Sequence, residues 1–128
     1  MNRSNPYQQT SFLAPVSIRK RKQTVIVSIL RPLTTPWFTH LKKHLRNRNA
    51  IPPKKDLILD LSQVESISAL GLHLLLDLQK KAHSHGRQML LAAPPPEVRL
   101  FLDLTDLIPK DEIFASVDEA LRRLSCEH

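Results

Sequence analysis

Three short apolar runs, residues 24–30 (TVIVSIL), 56–62 (DLILDLS) and 88–93 (QMLLAA), alternate with segments whose apolar residues recur every three or four positions. That alternation constrains the fold more than any other feature of the chain. Runs this short, bounded by polar residues and rich in β-branched or aliphatic side chains, suit buried strands rather than helices. Strands separated by helices cannot be joined as hairpins, so they imply a mainly parallel sheet with the helices packed on it. At 128 residues the chain can bury one core of this kind, but not two.

The remaining elements follow from local signals. Residues 1–12 are polar and without periodicity and read as a mobile tail, leaving 13–126 for the domain. Residues 16–20 alternate apolar and polar side chains before the basic stretch Arg19, Lys20, Arg21 and Lys22, so they should pair with 24–30 as a hairpin. Thr34, Thr35 and Pro36 mark a helix start, with Thr as a cap and Pro in the first turn. Trp37, Phe38, Leu41 and Leu45 form its apolar stripe, Lys42, Lys43, Arg46 and Arg48 its basic side, and Pro52 and Pro53 its end. A Leu-rich helix begins at Ala69 and closes at Gly86 as a left-handed cap. Residues 94–97 open a third helix carrying Val98, Phe101 and Leu102; Ile113 and Phe114 form a short strand; and Ser116 with Glu119 makes a capping box for a last helix. The order is ββαβαβα(β)α.

Charge is divided unevenly. Residues 1–55 contain twelve Lys or Arg and no Asp or Glu, whereas residues 56–128 contain seven bases and twelve acids. The net +7 is therefore +12 followed by −5, which concentrates positive potential. The basic residues Arg19, Lys20, Arg21, Lys22, Lys42, Lys43, Arg46 and Arg48 suit either a solvated face or an anionic partner, whether protein, lipid or nucleic acid. Several chemistries find no support. With Gly71 and Gly86 as the sole glycines there is no phosphate-cradling loop. His83 and His85 read as cations near helix-end carbonyls, and His40 and His44, beside Lys42 and Lys43, as surface residues, so no metal or other cofactor is expected. Asp60 is read as a loop-orienting acceptor, and no nucleophile, base and orienter arrangement is visible, so no enzyme is expected. The single Cys126 and the absence of an apolar leader or spanning segment point to the cytoplasm.

The stretch from Asp56 to Leu124 resembles the STAS domain family, which includes anti-sigma-factor antagonists. The resemblance lies in Leu59, Asp60, Leu61 and Ser62, then Val64, Gly71 and Leu72 opening the Leu-rich helix, Gly86 before Met89, Leu90 and Leu91, and Pro95, Glu97 and Val98 leading to Leu102. Ile113, Ser116, Glu119, Ala120 and Leu121 resemble the closing phrase, and residues 15–48 fit the opening elements in order and length. The resemblance implies a single α/β domain with a mixed, mostly parallel β-sheet covered by α-helices. It also implies a protein partner at the start of the second helix. There the family's Asp-Ser-Ser-Gly, whose first Ser is phosphorylated, aligns with Ser68, Ala69, Leu70 and Gly71. The Gly is kept, and Ala69 replaces the phosphate acceptor. Ser68 is read as a helix cap instead of a displaced acceptor. Gly71 suits close packing as well as it suits binding.

The expected function is therefore partner binding through Ser66, Ser68, Ala69, Leu70, Gly71, His73 and Asp77. The resemblance implies a histidine-kinase-like anti-sigma factor as partner, with no phosphorylation switch at the usual position. A STAS subunit bound to the ATPase of an ABC-type lipid transport complex is the second reading. Binding of nucleic acid or anionic lipid through the basic half is the third; the basic stretches carry little aromatic interleaving to stack bases.

Overall fold

The computed structural model describes residues 16–47, 51–52 and 54–127. The expected tail, Arg48 and Pro53 lie outside the described residues. Five strands form one sheet in the order β1-β2-β3-β4-β5: Val16–Lys20, Thr24–Ile29, Asp56–Asp60, Met89–Ala92 and Ile113–Phe114. β1 runs antiparallel to β2 as the expected hairpin, with Val16 opposite Ile29 and Lys20 opposite Val25. β2, β3, β4 and β5 are parallel neighbours, so β3 sits in mid-sheet.

Among the described residues four α-helices connect and cover these strands: α1 (Thr35–Leu45), α2 (Ala69–Ser84), α3 (Pro96–Thr105) and α4 (Val117–Glu127). The two faces of the sheet follow from side-chain alternation. Val25, Val27 and Ile29 of β2, Leu57 and Leu59 of β3, and Met89 and Leu91 of β4 point to one face, where Leu41, Leu45, Leu72, Leu75, Leu78, Val98 and Leu102 of α1, α2 and α3 meet them. Ile26, Ile58, Leu90 and Ala92 point to the other, under Ala120 and Leu124 of α4. The central strands are covered on both faces, which is why they read as unbroken apolar runs.

Local signals at the helix ends were mostly, though not uniformly, realised. The capping box forms with a one-residue offset: Ser116 Oγ accepts from the Glu119 amide at 3.1 Å, while Glu119 Oε2 accepts from the Ala115 amide at 3.1 Å. Gly86 has φ +71°, as the end of α2 requires. Thr34 holds the N-cap position of α1, yet its hydroxyl makes no capping hydrogen bond; its carbonyl accepts the Trp37 amide at 3.0 Å. α1 ends at Leu45, before Pro52 and Pro53. Leu45 is the last residue of the apolar stripe, and the Arg-Asn-Arg-Asn that follows supplies nothing to bury.

Between α3 and β5, a 3-10 turn (Lys110–Glu112) sets Glu112 beside Gln79 of α2, whose Nε2 donates to Glu112 Oε1. Burial, the largest influence, pushes the Glu112 carboxyl above its ordinary value and Asp111 adds to this, against the opposite pull of His83, Gln79 and Arg123. A carboxyl raised in the folded chain contributes stability that is present below its unfolded pKa and lost as pH rises through the folded value. Glu112→Gln, which keeps an acceptor for Gln79, should raise the melting temperature at about pH 7 and change it little at about pH 3, below the ordinary carboxylate range. Thermal melts at the two pH values check this.

Candidate functional site

The candidate site is built on the chain that leaves the carboxyl end of β3. Asp60 Oδ1 accepts the Ser62 amide at 3.0 Å and Oδ2 accepts the Ser28 hydroxyl at 3.2 Å, which turns the backbone off the sheet as an Asx-type turn does. Leu61 and Val64 anchor that turn; both are fully buried, and the Val64 amide donates to the Leu61 carbonyl at 2.9 Å. The chain then runs beside the loop that follows β2. Leu33 and Ile67 form a parallel bridge, the Leu33 amide donates to the Ser66 carbonyl at 2.9 Å, and the Ser68 amide donates to the Leu33 carbonyl at 2.9 Å.

Ser68 joins this clamp to α2. Its Oγ accepts from the Gly71 amide at 3.3 Å, satisfying one of the free donors of the first turn, and donates to the Leu33 carbonyl at 3.3 Å. The Ser68 hydroxyl is thereby the N-cap that the sequence suggested, with its proton directed to backbone. Gly71 is buried, and a Cβ built on it would lie 2.2 Å from the Leu33 oxygen. The glycine therefore serves the packing of α2 onto Leu33, and any influence it has on a partner is indirect.

The other residues singled out from sequence come together on one surface. Ser66 and Ala69 are exposed, Leu70 is 37% exposed, and His73 and Asp77 continue the outer face of α2 at helical spacing. Asp77 is already engaged, with a carboxylate oxygen 3.6 Å from Arg46, the C-cap of α1. Ala69 sits at the helix N-terminus in the open, at the position where the family resemblance places a phosphate acceptor.

Sequence reasoning missed a neighbouring groove. Gln63 and Glu65 of the β3–α2 loop face Pro95 and Glu97 at the start of α3 across an open channel at the same end of the sheet. The prolines had signalled only a helix start. Ala93, at φ +56°, turns the chain out of β4 toward that channel, and its amide donates to the Phe114 carbonyl at 2.8 Å.

The basic residues do not form a single patch. Arg19 and Lys20 end β1 and Arg21 and Lys22 form the hairpin turn, while Lys42 and Lys43 lie on α1 and Arg46 caps its end. Lys55 links the two groups: its Nζ donates to the Arg21 carbonyl at 3.2 Å, and it shares a small pocket with Arg46. His44 and His85 direct Nδ1 to helix carbonyls of His40 and Lys81 at 2.8 and 2.9 Å, and no group of three metal-ligating side chains occurs among the described residues. No helix among the described residues is long and apolar enough to cross a membrane.

The sequence profile of the STAS domain family matches residues 15–120. The chain belongs to that family. The STAS fold is shared with a Thermotoga maritima protein described as an anti-sigma factor antagonist, at TM-score 0.75 and 25% identity, over 84% of this chain and 92% of that one. It is shared as well with the murine anion transporter Solute Carrier 26 family member A9, at TM-score 0.73 and 17% identity over 84% of this chain and 18% of the transporter. In sequence, 88 residues are 38% identical to Sulfate transporter 1.3 of Arabidopsis thaliana, covering 66% of this chain; the chain spans 13% of that transporter's length.

Two substitutions probe the clamp. Gly71→Ala should destabilise the STAS domain by about 1–3 kcal/mol, because the added methyl meets backbone that cannot move aside cheaply, although alanine favours helix elsewhere. Ser68→Ala should cost about 1 kcal/mol through the lost cap. Urea unfolding followed by circular dichroism measures both.

Proposed function

We propose that this STAS domain is a non-catalytic, cytoplasmic docking module that works as an anti-sigma-factor antagonist does. Its partner, a histidine-kinase-like anti-sigma factor, sits on the turn formed by Ser66, Ala69 and Leu70 and on the outer face of α2 at His73. The observation that carries this reading is the exposure of Ala69 and Leu70 on a turn held by Ser68, Gly71 and Leu33, which offers a partner a preordered surface. Preordering lowers the entropy cost of binding.

Docking here is constitutive with respect to the usual switch. A phosphate would bring roughly −1.5 to −2 charges to the start of α2 and repel or recruit a partner accordingly. Ala69 has no oxygen to carry it, and the hydroxyl of Ser68 is occupied as cap and donor.

A second reading, service to an anion transporter instead of the ABC-type lipid transport complex expected from the sequence, has its own support in the 38% identity to Sulfate transporter 1.3. In that case the same surface would dock a transporter component in place of an anti-sigma factor.

Affinity capture from the cytosol of the cells that make the protein, with wild type and Leu70→Arg in parallel, tests the proposal. Leu70 is exposed, so the variant should keep the wild-type circular dichroism spectrum. The expected outcome is recovery of an anti-sigma factor by wild type and a loss on the order of tenfold or more with Leu70→Arg, as for an interface anchor. Recovery of a transporter component selects the second reading. Equal recovery of one partner by both proteins contradicts the site.

A further inference from the structure

The docking turn lies at the carboxyl end of β3, and the strongest unassigned feature lies at the other end of the sheet. There the carboxyl ends of α1 and α2, the start of β3 and Ile51 and Pro52 before it line a pocket of about 50 Å³. Its floor is apolar, formed by Leu45, Leu57 and Leu78, each buried. Its rim is cationic: Lys55 and Lys81 border it, with Arg46 and His85 beside them.

The rim draws on more than these side chains. The hydrogen bond from Lys55 to Arg21 brings the Arg21 and Lys22 turn to the same end of the sheet, where the Asp56 amide also donates to the Gln23 carbonyl at 3.0 Å. Acidic compensation is sparse. Asp77 pairs with Arg46, and Asp56 is buried with Oδ1 accepting from the Gln88 amide at 3.0 Å. Among the described residues no carboxylate forms an ion pair with Lys55 or Lys81.

We propose that this pocket is a second docking site, for an acidic segment of a protein partner that inserts one aliphatic side chain between α1 and α2. Carboxylates flanking that side chain pair with Lys55 and Lys81. The chemistry selects this occupant over the other anionic ones. A bilayer takes up apolar groups that protrude, whereas these are recessed. A nucleic acid offers phosphates without an aliphatic group to fill the floor, and Trp37 and Phe38 are packed against the core instead of forming a stacking platform. The pocket is also far smaller than the ~150 Å³ cavity that accepts a benzene ring, so it admits the end of one aliphatic side chain and no aromatic ligand. Attraction by the rim should be strongly salt-dependent and act mainly on the association rate.

The test uses the full chain and a fluorescein-labelled peptide, Glu-Glu-Asp-Leu-Asp-Glu-Glu, at low salt, with a second peptide that has Ala in place of Leu. Anisotropy should show saturable binding of the first peptide, several-fold weaker binding of the second, and amide NMR shifts centred on Leu45, Leu78 and Lys81. Lys55→Glu/Lys81→Glu should weaken binding on the order of tenfold or more. The exposed Lys81→Glu alone should weaken it less, and this variant keeps the test valid if the double variant folds poorly. Leu70→Arg should bind the peptide as wild type does, which separates this site from the docking turn. The proposal is overturned if the peptide does not bind, or if Lys81→Glu and the double variant bind it as wild type does. It is likewise overturned if phosphatidylserine vesicles or a single-stranded oligonucleotide are bound in a Lys81-dependent way and the peptide is not.

Discussion

The backbone of Leu33 is the constraint on which the candidate site depends. Leu33 is fully buried, its amide is spent on Ser66, and its carbonyl receives both the amide and the hydroxyl of Ser68. A net hydrogen bond contributes only about 0.5–1.5 kcal/mol, but a buried carbonyl left without its donors costs about 1–3 kcal/mol, so the arrangement is hard to loosen one bond at a time. The β2–α1 and β3–α2 loops are therefore held as one unit. Two side chains have to fit that unit: a hydroxyl at Ser68, which caps α2 and donates to Leu33, and no side chain at Gly71, which lets the first turn of α2 reach the same carbonyl.

This explains why the sequence was informative about the fold and only partly so about the site. Strand and helix order is written locally, in the two-sided burial of residues 56–60 and 89–92 and in the spacing of Leu41, Leu45, Val98 and Leu102. The cap at Ser68 and the capping box at Ser116 are local as well. The role of Gly71 is not, because the atom that forbids a Cβ belongs to Leu33, far back in the chain. Thr34 marks the start of α1 as its residue type suggests, but it does so without a hydrogen bond from its hydroxyl. The groove between Glu65 and Glu97 joins two loops that only the sheet brings together, and no pattern within either loop announces it.

Charge adds a second axis. Ser66, Ala69 and Leu70 stand at the carboxyl end of β3, whereas Lys55 and the hairpin turn stand at its amino end, joined by the Lys55–Arg21 hydrogen bond. Lys55, Arg21 and Lys22 thus place positive charge at the end of the sheet opposite that turn, and the sheet gives the domain two chemically distinct ends. The STAS fold occurs both in antagonist-like proteins and within anion transporters. Partner choice is accordingly left to the exposed side chains at those ends, while the core sets only where they stand.

The claim beneath this account is that the turn is fixed in the free protein by its clamp to Leu33. Native-state amide hydrogen exchange of the isolated domain measures that most directly. The account predicts that the Leu33 and Ser68 amides, both bonded across the clamp, exchange as slowly as those of β3, through global unfolding. Exchange of Leu33 and Ser68 at the rate of exposed loop amides, with β3 still protected, would show that the clamp opens on its own and would contradict a preordered docking surface.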